Sequence, residues 1–141
     1  MIAELHTAKD LMENEQYESA INVLSYLNGL PLKYENFRLL LLSNCFYKTE
    51  EYDWAIETAS QLLQNDHTNE YASRIKYLAY YELEDYDSAL NEIISFLSDN
   101  KADLYKSILE EFLIDVRIEN IADTDIVYKM KELALKNNIY L

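Results

Sequence analysis

The sequence predicts an all-α fold of stacked antiparallel helix pairs, about eight helices in 141 residues. Three observations carry this. A short phrase recurs: "QYESAI" at 16–21, "EYDWAI" at 51–56 and "DYDSAL" at 85–90. Its tyrosines, Tyr17, Tyr52 and Tyr86, stand 35 and 34 residues apart, a period that belongs to arrays of helical hairpins. Half of the residues are hydrophobic, enough for a core, yet the chain holds one glycine and one proline, too few for the corners of a hairpin-rich β protein.

Each element follows in order. Helices are expected over 2–13, 16–28, 34–48, 51–64, 69–82 and 85–98, as three pairs in repeats of about 1–33, 34–68 and 69–101. In the second helix of each pair an alanine follows the tyrosine by three residues, at Ala20, Ala55 and Ala89, and an aliphatic side chain follows it, at Ile21, Ile56 and Leu90. The small residue lets two helices approach closely, and the tyrosine one turn earlier covers the junction with the preceding helix. Two further helices, near 102–118 and 124–138, lack the phrase. Asp123-Thr124-Asp125 signals the start of the last one, and Asn137-Asn138 its stop. They fit a cap over the open hydrophobic end of the array, which makes 1–141 a single domain.

The three Tyr/Ala pairs resemble the tetratricopeptide repeat (TPR) family over roughly residues 1–100. The family favours a small residue nine positions before that tyrosine, where Ala8 and Ser43 match and Tyr77 does not. Its aromatic position, six before the tyrosine, holds Leu11, Phe46 and Tyr80. Its repeat-closing proline has one loose counterpart, Pro31, with His67 and Lys101 near the other ends. Its glycine between the helices is replaced by Glu15, by Glu51 or its neighbour Glu50, and by Glu84. The resemblance implies a right-handed superhelix whose first helices line a concave groove. By register that groove takes Leu5, Lys9 and Met12, then Phe37, Leu40, Asn44, Tyr47 and Lys48, then Tyr71, Arg74, Leu78 and Tyr81. Aromatic side chains and arginine dominate binding energy at interfaces, which favours Tyr47, Tyr71, Arg74 and Tyr81 as contacts, while Leu40 and Leu78 read as packing. Some members of the family clamp a peptide carboxylate with lysine, asparagine and arginine. Asn44 falls at a matching place, but Leu5 and Lys9 stand where the first-repeat lysine and asparagine would be, so the clamp is incomplete.

Charge separates function classes. The net charge is −14, and residues 49–100 carry 12 acidic and 2 basic side chains, −10 of that total. Nucleic acid and acidic membrane surfaces are repelled by such a chain; a basic protein is attracted. The excess gathers around Glu50, Glu51, Asp53, Glu57, Glu84, Asp85 and Asp87, with Trp54 among them as an aromatic anchor or as a contact to the next repeat.

Reactive chemistry is sparse. His6 and His67 lie in different repeats without a ligand at metal spacing, so neither a metal nor another cofactor is expected. Cys45, the one cysteine, reads as a small buried hydrophobe, and it favours a reducing, cytoplasmic setting. The acidic N-terminus lacks the apolar core of a secretion signal, and no apolar run approaches a membrane span. The expectation is therefore a non-enzymatic binding protein. One form is an immunity-like protein that neutralises a cationic toxin such as a nuclease. A second is a chaperone or adaptor that holds a peptide in the groove, and a third is a self-associating module that forms a homodimer.

Overall fold

A computed structural model describes residues 2–114 and 124–139. Among them are eight helices and no strand: α1 (Ala3–Glu13), α2 (Tyr17–Tyr26), α3 (Leu32–Lys48), α4 (Tyr52–Asn65), α5 (Glu70–Glu82), α6 (Tyr86–Asp99), α7 (Lys106–Ile114) and α8 (Thr124–Lys136). The ends expected at 115–118 and at Asp123 lie outside the described residues. Successive helices from α1 to α6 pack on one another, and α1 on α3 and α3 on α5 also touch. Helices α1, α3 and α5 therefore form a connected row. Beyond α6 the stacking partner is α8, with α7 packed on α8.

The recurring phrase does what its chemistry requires. Ala20, Ala55 and Ala89 are fully buried, as are Ala8 and Ser43 on the first helices. The tyrosine of α4 packs on an aromatic five residues earlier, Tyr52 on Tyr47 at 5.6 Å between ring centres, and that of α6 does the same, Tyr86 on Tyr81 at 4.9 Å. At Tyr77 the family-like small residue is absent, and its ring is buried edge-on against Tyr105 in the C-terminal core. That core joins Ile93 and Phe96 of α6, Leu109 and Phe112 of α7, and Met130 and Leu133 of α8.

The turns inside the pairs are three copies of one device. Glu15, Glu50 and Glu84 have φ of 60°, 64° and 60°, the left-handed region where glycine is at ease. The next residue's N–H reaches back five residues to a carbonyl: Gln16 to Leu11 (2.8 Å), Glu51 to Phe46 (2.8 Å) and Asp85 to Tyr80 (3.0 Å). The glutamate's own N–H bonds three residues back, to Met12, Tyr47 and Tyr81 respectively. This is the Schellman motif, which satisfies carbonyls a helix end leaves open. Asn138 repeats it after α8, with φ of 62° and Ile139 N–H donating to the Ala134 carbonyl at 2.9 Å.

α7 starts later than the expected residue 102 because residues 103–105 serve another purpose. The Glu70 carboxylate at the start of α5 accepts the backbone N–H groups of Asp103 (2.9 Å), Leu104 (2.9 Å) and Tyr105 (3.0 Å). Beside it, the buried Tyr105 hydroxyl pairs with Ser73 Oγ at 2.6 Å. Ser73 in turn donates to Glu92 Oε2 at 2.7 Å, and Lys76 meets Glu92 Oε1 at 2.8 Å. Burial pushes the Tyr105 and Tyr77 hydroxyls above the usual phenol range, so both stay protonated.

Candidate functional site

Two surfaces hold the residues that the sequence singles out. The first is a cleft of about 340 Å³ between α3 and α5. Its apolar floor is Leu40, Leu41, Ile75 and Leu78, and its polar groups are Asn44, Tyr47, Lys48, Tyr71 and Arg74. Successive α3 residues one turn apart, 40, 44 and 47–48, face residues 71, 74–75 and 78 of α5 across the gap, as helical spacing dictates. Seven of the twelve expected groove residues thus line one cavity, Leu40 and Leu78 as part of its floor. Tyr71 is 58 % exposed, and neither Lys48 nor Arg74 has a carboxylate within salt-bridge distance among the described residues. Burial and the nearby Glu82 raise the Tyr47 hydroxyl above its ordinary value, with Arg74 opposing.

Other groove expectations fall elsewhere. Leu5 is fully buried and faces no groove; it belongs to the N-terminal core. Phe37 is half-buried against that same core. Tyr81 lies between Tyr77 and Tyr86, at 5.9 and 4.9 Å, outside the cleft lining. Sequence reasoning missed Glu82, whose charge reaches both Tyr47 and Tyr52. It was legible only as one more acid near a helix end.

The second surface is the edge formed by the turns inside the pairs. Thr49 of the second turn shares a hollow with Glu15, Gln16 and Glu18 of the first. Tyr52 feels both Glu50 of the second turn and Glu82 of the third, which adds to burial in raising its hydroxyl above the ordinary value. The three turns therefore sit side by side. Glu50, Glu51, Asp53, Glu84, Asp85 and Asp87 are all exposed there, joined by Glu15, Glu18 and Glu82. Asp85 also accepts the Ser88 N–H at 3.3 Å and so caps α6. The ion pairs Arg38–Glu35 and Lys76–Glu92 lie away from this edge, and among the described residues none of its carboxylates meets a cation. Trp54 and Glu57 lie on the adjoining face of α4, both exposed.

A third hollow, of about 350 Å³, opens between α4 and α6 over the Lys76–Glu92 pair and includes His67. Nothing in the sequence marks it. Among the described residues no group of three or more His, Cys, Asp or Glu side chains could hold a metal ion. Cys45 is fully buried, and burial pushes its thiol up to about 11, so it carries a proton at neutral pH. Among the described residues no helix is long and apolar enough to cross a membrane.

No family model matches this chain, and neither a curated protein nor a solved structure shows significant similarity to it.

Proposed function

We propose that this chain is a TPR-like, non-catalytic scaffold of the cytoplasm that holds a basic protein along its acidic edge, as an immunity protein holds a cationic toxin such as a nuclease. One observation carries the reading: carboxylates from three successive turns are exposed side by side, and among the described residues none of them meets a cation. Spreading the same charge over the molecule would avoid the self-repulsion, whereas gathering it speeds encounter with a positive surface and selects for it.

The test is a pull-down from the native host in about 50 mM and about 500 mM salt, where screening lengths differ severalfold. A basic protein captured at low salt and released at high salt is the expected result. Glu51→Lys with Glu84→Lys should abolish capture. Neither side chain makes a hydrogen bond or ion pair among the described residues, so the fold is spared. Salt-insensitive capture, unchanged by that double substitution, would sink the reading.

A second reading, a chaperone or adaptor that grips a peptide, is supported by the convergence of Tyr47, Tyr71 and Arg74 on one cleft. It expects client binding to survive high salt and to fail in Tyr47→Ala, Tyr71→Ala and Arg74→Ala.

A further inference from the structure

The repeat itself shows which residues the scaffold requires, because matched positions in the three pairs meet the same packing demands. Trp54 in α4 matches Ser19 in α2 and Ser88 in α6, and Glu57 matches Asn22 and Asn91. Serine and asparagine suffice at these places in two pairs of the three. The helix stack therefore does not require a tryptophan or a glutamate at these places.

What they build is a hollow of about 270 Å³ on the outer face of α4, lined by Trp54, Glu57, Thr58 and Gln61. The indole is 63 % exposed. It is not loose: it meets the ring of Phe46 at 5.3 Å and 77°, an edge contact that fixes its tilt. The Thr58 hydroxyl is taken by the Trp54 carbonyl at 2.7 Å. Glu57 and Gln61 have no partner among the described residues and stand one turn apart beside the ring. An aromatic wall, a free carboxylate and a free amide carbonyl form a complementary set. A planar cation can lie on the indole, donate two parallel N–H bonds to the carboxylate and give a further one to the amide oxygen. Guanidinium has the flat, forked shape for this, and an ammonium does not.

We infer that Trp54, Glu57 and Gln61 form a pocket for an arginine side chain of the protein partner. This rests on the acidic-edge reading and names the anchor at its centre, with the surrounding carboxylates supplying the long-range attraction and this pocket the short-range selectivity.

Trp54 is the sole tryptophan, so its fluorescence reports the pocket directly. The probes are three blocked tripeptides, glycine-X-glycine, with X arginine, lysine or citrulline. The arginine peptide should give a saturable change in emission and bind at least about fivefold tighter than the uncharged citrulline peptide. Glu57→Asn, the residue of the sister repeats, should remove that preference. Equal binding of arginine and citrulline, equal binding of arginine and lysine, or an unchanged preference in Glu57→Asn would each overturn the pocket. A captured basic protein gives a separate check. Trp54→Ser, again the sister residue, should weaken it about five- to tenfold. Undiminished capture by Trp54→Ser, alongside loss in the Glu51→Lys, Glu84→Lys protein, would reject the pocket and leave the acidic edge standing.

Discussion

Single residues set the turns of this molecule against their own preference. Glu15, Glu50 and Glu84 hold the left-handed conformation that costs a residue with a Cβ about 1–2 kcal/mol. Glycine would relieve this, partly offset by its greater freedom in the unfolded chain. Glu50→Gly should therefore raise stability by about 0.5–1 kcal/mol, read as a higher urea midpoint. Glu50→Ala separates backbone from charge: it loses the carboxylate but keeps the Cβ, and should not show the gain. A midpoint that rises equally in both would place the effect in charge relief. The preference for glutamate at a glycine position is itself informative, since it puts a carboxylate at the tip of each turn. The identity of these residues could be read from the sequence. The resemblance set Glu15 and Glu84 at a glycine place and left the middle repeat between Glu50 and Glu51; the left-handed φ falls on Glu50, where the Schellman hydrogen bonds close the turn.

At the scale of elements, the cap depends on one side chain. Glu70 lies in the first turn of α5 and accepts three N–H groups from residues 103–105, 33 to 35 positions along the chain. It fixes where α7 begins and, through Tyr105 and Ser73, ties the cap to α5 and α6. Glu70→Ala should cost about 1–3 kcal/mol, since hydrogen bonds to a charged acceptor are among the stronger ones. Amide exchange at 103–105 should quicken before that of α3 or α4. Uniform exchange throughout, with an unchanged unfolding midpoint, would show that the carboxylate does not hold the cap. The helices α1 to α6 were legible within two residues at each end, because period and apolar pattern are local properties. The start of α7 was not, because it is decided by a contact made across a whole repeat.

For the whole molecule the governing quantity is charge. With −14 overall and most of it in the middle third, the native state carries self-repulsion that salt relieves. Raising ionic strength from about 0.01 to about 0.15 M shortens the screening length from about 30 to about 8 Å, beyond which exposed charges hardly interact. The thermal midpoint should rise by a few degrees over that range, and the Glu51→Lys, Glu84→Lys protein should respond less. A midpoint indifferent to salt would mean that the edge carboxylates are farther apart in effect than their turns suggest. Helicity, the packing rule shared by three helix pairs and the gathering of charge in the second and third all follow from the order of residues. Those are properties of spacing and composition, which folding cannot alter. Which of the marked residues meet is a matter of how the helices cross. Their crossing brought Asn44, Tyr47, Lys48, Tyr71 and Arg74 to one cleft, and it sent Leu5, Phe37 and Tyr81 elsewhere. The reason is geometric: a helix offers each residue a direction every 100° or so, and which direction faces a groove is fixed by the crossing of its neighbours.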